Sequence, residues 1–378
     1  METKILVIAS QDYESANHKG LWEKLAEKSN NDVIVINIPA DRIVSTLTHH
    51  KDRIDDAKKG PNWVKEHLTI YRPLLTVRPE ALPDCMFPYV AKEFWGCLDR
   101  AYPELKQCKL RILVYNAFWV KILKGTRKNI SFAYYLFDEV RNNGNDNSVN
   151  KKRYAHDEYA CKNSEIVLTM SRLLAESRAE YNNNIITIGN GALKPETDSI
   201  PIRKFDRSFA FVGNFRDWID QELLTGLIQL RKDILFVFVG SVEDNMRDYL
   251  DNLLNSNMNV LWFGKVKKEK MSELYSMFDG IMIPYKNNEF IKATRPIKIV
   301  ESVLCGIPVV TIPMDGYEEC SFIRFADNVE GFSKQIDYVL QHPIDLCSCE
   351  YTSFVEENVW DTKAEIIIKA FDKVEENI

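Results

Sequence analysis

The sequence predicts an α/β protein built as two doubly wound domains, and three observations carry that prediction. The chain has 378 residues, 45% hydrophobic and 28% charged, which is the composition of an ordinary globular protein long enough for two cores. It opens as strand, helix, strand: an apolar run Ile5–Ala9, a helical pattern through Leu21, Trp22 and Leu25, and a second apolar run Val33–Ile38. Far downstream, residues 284–313, PYKNNEFIKATRPIKIVESVLCGIPVVTIP, spell out a complete strand–loop–helix–strand unit.

Taken in order, the first β–α–β places the loop Ser10–Gly20 at the carboxyl ends of the strands, where a doubly wound sheet keeps its ligands. His18 and Lys19 are the polar candidates there for a cleft or acceptor role. Arg42–Lys59 mixes both charge signs and reads as a solvated helix or loop. Trp63–Trp95 is rich in aromatics and prolines, too interrupted for one helix, and is expected to form a helix-flanked excursion. Between Lys106 and Lys128 stand seven lysines and arginines and no acid, interleaved with apolar residues. That stretch has two readings: a basic, apolar surface for anionic lipid, or a core strand Ile112–Tyr115 with solvated flanks.

Ile130–Phe137 is the next strand, and Asp138 and Glu139 follow it ahead of a Gly/Asn-rich loop. Acids at such a strand end suit catalysis, or a helix cap. Ser171 is expected to cap a helix running to Glu180. Ala192–Arg207, polar with two prolines, reads as a linker. A new strand begins at Phe209 and turns at Gly213, with a helix from about Asp220; Ile234–Val239 is another strand.

In the 284–313 unit, Pro296 suits the first helical position and Gly306 the position past the last turn. Lys298 and Glu301, three apart, share a face near the helix start. A helix N-terminus with a cation beside it is a phosphate site in waiting. The alternative is a surface ion pair on an ordinary helix.

Composition excludes some classes. A net charge of −6 disfavours nucleic acid as a partner. Eight cysteines without a C-x-x-C pair or zinc spacing suggest reduced thiols. The apolar run at the N-terminus is too short for a signal peptide or a membrane helix, so a cytoplasmic protein is expected, at most resting on the inner face of a membrane.

The run Asn288–Val310 is similar to the nucleotide-sugar motif of GT-B glycosyltransferases, especially the family 4 branch that includes teichuronic-acid-type enzymes. Asn288, Glu289, Pro296, Lys298, Glu301, Gly306, Pro308, Val309 and Val310 meet the pattern, with Phe290 in place of a leucine. The wider family has a glutamate eight positions before the second one, and this chain has Ala293 there. Tyr134 and Asp138 match the branch's Y-x-x-x-D, while Phe137 stands where many members carry histidine. Ile188–Ala192 resembles the segment that closes the family's first domain, and NVLWFGKVKKEKMSELYSMFDGIMIPY resembles its base-binding region.

The resemblance implies a GT-B fold, two Rossmann-like doubly wound domains facing a cleft. Residues 1–191 would form the acceptor-side domain, 192–207 the linker, 208–353 the nucleotide-sugar domain, and 354–378 a helix crossing back to the first domain. It implies donor binding by Gly213, Arg216, Gly264, Lys265, Val266, Tyr285, Glu289, Thr294, Lys298 and Glu301, and a catalytic or acceptor-binding Asp138. Gly264–Val266 fits a plain tight connection as well. The implied activity moves a sugar from a UDP- or GDP-type donor to a glycan or polyprenyl-linked acceptor, with no metal and no cofactor. A nucleotide-sugar epimerase and a non-catalytic scaffold are the alternatives.

Overall fold

The computed structural model describes residues 2–29, 31–43, 51–140, 148–195 and 205–376. It divides into two compact units, Met1–Ile188 with Trp360–Ile378, and Gly189–Val359.

The first unit contains β1 (Thr3–Ile8), β2 (Val33–Ile36), β3 (Ala40–Asp41), β4 (Asn62–Lys65), β5 (Leu68–Tyr71), β6 (Leu74–Leu75), β7 (Lys109–Val114), β8 (Ile130–Leu136), β9 (Ile166–Thr169) and β10 (Ile185–Thr187). Eight of them form one sheet in the order β10-β9-β8-β7-β1-β2-β5-β4, while β3 and β6 pair separately. Every neighbour in the large sheet is parallel except β4 on β5. Strands in such a sheet are covered on both faces, so they read as unbroken apolar runs. Ile5–Ile8 and Val33–Ile36 are accordingly buried throughout.

The 63–95 stretch departs from expectation. It supplies β4, β5 and β6 before the helix Phe87–Ala101 begins. β5 is only four residues long and Pro73 follows it closely, whereas β4 lies exposed at the sheet edge with Trp63 on the surface. Neither offers the length or alternation that reveals a strand.

The basic run contains a core strand, and most of its cations stand in ion pairs. Its Lys109–Val114 portion is β7, beside central β1. The fold brings carboxylates to six of its seven cations: Lys106 and Arg127 to Asp99, Lys109 and Arg111 to Glu375, Lys121 to Asp84, and Lys124 to Glu165. Arg111 also meets Asp372 at 2.5 Å. Asp372 and Glu375 lie on the closing helix Trp360–Glu376, which packs along Lys19–Ser29 with a Lys28–Glu365 pair at 2.8 Å.

The second unit contains β11 (Ser208–Val212), β12 (Leu235–Val239), β13 (Val260–Gly264), β14 (Gly280–Ile283), β15 (Val309–Thr311) and β16 (Ile323–Phe325). They form an all-parallel sheet in the order β13-β12-β11-β14-β15-β16. Its core includes Phe209, Phe211, Phe236, Ile281, Val309 and Val310.

The chain divides at 188/189 and 359/360, not at the expected 191 and 353. Ala192 bridges Val359 and its amide donates to the Asn358 carbonyl at 3.0 Å, so both the I-G-N-G-A segment and the end of the Cys349–Asn358 helix belong to the second unit. Most of the expected linker, 196–204, lies outside the described residues.

Candidate functional site

Two glycine turns build the site in the second unit. Gly213 follows β11 and Gly240 follows β12. A Cβ on Gly240 would stand 1.9 Å from the Gly213 carbonyl oxygen, so the two backbones touch where no side chain fits. The Gly213 amide donates to the Val239 carbonyl at 2.8 Å, and the Gly240 amide to the Gly264 carbonyl at 2.7 Å. The carboxyl ends of β11, β12 and β13 are thereby stitched together, the position where parallel sheets bind ligands.

Lys298 is aimed at this place. Its ammonium donates to the Tyr285 hydroxyl at 2.9 Å and lies 4.3 Å from the centre of the Phe211 ring. A Cβ on Gly213 would meet Lys298 Nζ at 2.6 Å, and Gly213 has φ 143°, so only glycine accommodates both the turn and the lysine. Tyr285 is itself held: Ile219 bridges it, the Asp220 amide donates to the Pro284 carbonyl and the Lys286 amide to the Trp218 carbonyl.

The helix carrying Lys298 runs Ile297–Leu304. Pro296 is its N-cap, with extended φ −60° and ψ 124°, one position earlier than expected. Gly306 does lie just past the end, at φ 74°, and its amide reaches the Val303 carbonyl while that of Ile307 reaches the Ser302 carbonyl. This pair of bonds is a Schellman closure and stops the helix cleanly. Ile299, Val300 and Val303 pack into the core, which fixes the helix by its apolar face.

Glu301 does not pair with Lys298. Its carboxylate accepts from the Tyr275 hydroxyl at 3.0 Å, whereas Lys298 turns to Tyr285. The surface ion-pair reading of these two residues is therefore excluded. Burial pushes the Glu301 carboxyl above its ordinary value, and the Tyr275 hydrogen bond with the charges of Lys268 and Lys298 offsets this only in part. The same burial pushes the Cys305 thiol up to about 12.

The remaining donor-side candidates are less convergent. Arg216 Nε lies 3.2 Å from Glu243 and its guanidinium stacks 4.0 Å from the Trp218 ring, so it is already engaged. Glu289 is largely exposed and pairs with Lys292 at 3.3 Å. The Thr294 hydroxyl donates to the Ile291 carbonyl at 2.7 Å, as a local turn bond. Gly264 ends β13 at φ 67° with Lys265 exposed and Val266 half-buried, leaving a backbone edge open beside the Gly240 turn.

Sequence reasoning passed over three contributors. Trp218 joins Arg216 to Tyr285, its ring 6.0 Å from the tyrosine. Gly240 makes the backbone contact with Gly213. Arg295 packs where a Cβ on Gly189 would stand, lies 4.7 Å over the Tyr317 ring and donates to Asn358 at 3.1 Å. Gly189, at φ 69°, thus makes room for Arg295, a reason for the I-G-N-G-A glycine that its local sequence alone does not state.

In the first unit, His18 precedes the Lys19–Ser29 helix and sits among the rings of Tyr115, Tyr135, Phe137 and Trp360, at 5.1, 5.2, 6.2 and 5.6 Å. Lys19 lies over the Tyr13 ring at 4.5 Å and 3.4 Å from Glu14. Asp138 is exposed just beyond β8. Tyr134, linked to it by pattern, instead donates to buried Asp157 at 2.8 Å. Arg178, fully buried, joins Asp157 at 3.0 Å to Glu139 at 2.7 Å, fixing the residue next to Asp138. Among the described residues, no three His, Cys, Asp or Glu side chains gather as a metal site, and no helix is long and apolar enough to cross a membrane.

Comparison with known proteins assigns this architecture. Residues 206–342 match the family described as Glycosyl transferases group 1. Over 141 residues the chain is 25% identical to TuaH of Bacillus subtilis (strain 168), named as a teichuronic acid biosynthesis glycosyltransferase; the match spans 37% of this chain and 33% of that protein. The chain thus matches about a third of the length of this curated relative. Whole-chain structural likeness extends to Anabaena Alr3699/HepE, solved with UDP and glucose, at TM-score 0.59 and 14% identity over 99% of this chain and 98% of that one. It extends also to the lipopolysaccharide outer core galactosyltransferase WaaB, at TM-score 0.61 and 10% identity over 100% and 99%. At these identities the structural likeness speaks for the fold. Residues 206–342 thus resemble a group 1 glycosyltransferase domain, and the chain as a whole has the GT-B fold of these structures.

Proposed function

We propose that the protein transfers a sugar from a nucleoside-diphosphate sugar, UDP- or GDP-type, to a hydroxyl of a glycan or lipid-linked acceptor. One observation carries this reading: Lys298 is held by Tyr285 against the Gly213 turn, at the start of a helix, instead of pairing with Glu301. The Ile297 and Lys298 amides open that helix and have no intrahelical acceptor, so they and the ammonium form an anion site. As the glycosyl–oxygen bond breaks, the departing diphosphate gains negative charge, and fixed donors at that position lower the barrier. Glu301, one turn on, is assigned to sugar hydroxyls of the donor, and the open edge at Gly264, Lys265 and Val266 to the base. Asp138, exposed after β8, is assigned to the acceptor hydroxyl. HepE, solved with UDP and glucose, supports the choice of donor class.

In this reading the cations take the role a metal would otherwise fill, so turnover is expected to survive a chelator. The setting is cytoplasmic, with eight cysteines as thiols. A lipid-linked acceptor at the membrane inner face remains within it, although ion pairs already engage six of the seven cations of 106–128.

The test is a thermal-shift screen of UDP-, GDP- and dTDP-sugars. A donor at a hundred times its Kd stabilises by about 2.7 kcal/mol, and Lys298→Ala is expected to abolish the shift. No response to any nucleotide sugar would remove the reading.

A further inference from the structure

Glu301 has one carboxylate oxygen engaged and the other open. Oε2 accepts from the Tyr275 hydroxyl at 3.0 Å. Oε1 has no hydrogen-bond partner among the described residues and is not sealed from solvent. An ionised carboxylate accepts at both oxygens, so the open side has room for a hydroxyl of a bound molecule.

The packing shows how the engaged side is made. Tyr275 closes the short helix Met271–Tyr275, which packs against Ile297–Leu304, the helix of Glu301. Tyr275 is only 1% exposed, so the core fixes its ring and with it the hydroxyl. Among the described residues Glu301 is the only hydrogen-bond partner of that hydroxyl. A buried phenol deprived of its acceptor is costly, which ties the two side chains to one geometry. A glutamate side chain gives up much rotamer freedom when a ligand immobilises it. With Tyr275 in place, that freedom is already gone before a ligand arrives.

The other groups around Glu301 do not duplicate this hold. Lys268, in the turn Lys268–Lys270, and Lys298, one turn back on the same helix, favour the ionised carboxylate through their charges, and Lys298 itself donates to Tyr285. Cys305, one turn on, stays a neutral thiol, because burial and then the Glu301 charge push it up to about 12. Burial likewise keeps the Tyr275 phenol protonated, well above its ordinary range. Tyr275 is thus a neutral donor: it orients the carboxylate without neutralising it, whereas an ammonium at the same place would do both.

We propose that Tyr275 is a positioning residue, whose hydroxyl fixes Glu301 Oε2 so that Oε1 is presented to a hydroxyl of the nucleotide-sugar donor. The assignment of that hydroxyl to the donor rests on the glycosyltransferase reading above; the hold of Tyr275 on the carboxylate does not.

Tyr275→Phe removes the hydroxyl and keeps the buried ring. UDP-glucose, GDP-mannose and dTDP-glucose are titrated calorimetrically into the full chain from about pH 5.5 to 8.5, the span over which a raised carboxyl group ionises. Protonated Glu301 accepts less well, so affinity falls as pH falls. Without the phenol the proton is held about tenfold more tightly, and the acid limb of the affinity profile is expected about one pH unit higher than in the parent chain. In a Glu301→Ala background the same change is expected to cost no further affinity.

A second measurement needs no ligand. With glutamate carboxyl carbons isotope-labelled, the Glu301 NMR signal is the one missing from Glu301→Gln, and its titration midpoint in Tyr275→Phe is expected to rise by about one pH unit.

The proposal is overturned if that midpoint stays in place, if Tyr275→Phe weakens binding equally at every pH, or if it weakens binding as much in the Glu301→Ala background as in the parent. If no nucleotide sugar binds the parent chain, the donor reading falls, and the Glu301 titration still decides whether Tyr275 holds the carboxylate.

Discussion

Gly213→Ala offers a sharp test of how the proposed donor site is assembled. The added Cβ would stand 2.6 Å from Lys298 Nζ and 3.4 Å from its Cε, and the residue would keep φ 143°. The backbone strain costs on the order of 1–3 kcal/mol of stability. The ammonium is the free end of a flexible chain, so it yields first, leaving Tyr285 and the helix start. Losing a charge-assisted hydrogen bond to the diphosphate costs about 1.5–3 kcal/mol, roughly 10- to 150-fold in donor Kd. Because the alanine acts by moving the lysine, it has little left to damage in a Lys298→Ala background. Calorimetric titration of UDP into the parent, both single variants and the double variant therefore gives a coupling of at least about 1 kcal/mol. Strictly additive losses would refute the idea that Gly213 matters through Lys298.

Glu301→Gln tests the buried carboxylate. Burial raises its pKa above the ordinary 4.5, so its contribution to stability is fully present below that pH and is lost as pH rises through the raised value. The ligand-free glutamine variant is expected to lack this loss and to have the higher Tm at pH 7, while binding nucleotide sugar more weakly; parallel Tm curves from pH 4 to 7 would contradict it. Arg178→Met strips the shared cation from Asp157 and Glu139. Breaking such a buried network costs about 3–5 kcal/mol, read from urea unfolding, and a loss under about 1 kcal/mol would show the acids have adequate partners elsewhere.

Much of this architecture is legible in the sequence where local chemistry decides it. Continuous apolar runs mark β1, β2, β11 and β12 because both faces of a parallel sheet are covered. Ser171 and Asp220 cap their helices, accepting the Leu174 and Leu223 amides, as short polar side chains before apolar runs do. The Ser171-capped helix ends at Glu176, however, short of the expected Glu180. The end of the Lys298 helix is equally local, since Gly306 supplies the left-handed residue a Schellman closure needs.

What escaped the sequence is pairing across distance. Lys106–Lys128 reads as a basic surface because its acids, Asp84, Asp99, Glu165 and Glu375, all lie outside the run. Tyr134 and Asp138 share a motif spacing, yet the side chain of Tyr134 leaves the strand toward Asp157. Arg216 has Glu243, which follows β12 in the chain, 3.2 Å away, a neighbour its own sequence surroundings do not announce. The β4–β5 pair, short and close to prolines, offers no period to detect.

Transfer itself is tested most directly by mixing the protein with UDP-, GDP- and dTDP-sugars and candidate glycan acceptors, and following anomeric signals by proton NMR. One donor is expected to lose its sugar while free nucleoside diphosphate accumulates and a new glycosidic anomer appears, with Lys298→Ala slowing this by about 10²- to 10³-fold. Conversion of a donor to its epimer without diphosphate release, or tight nucleotide-sugar binding with no turnover on any acceptor, would contradict it.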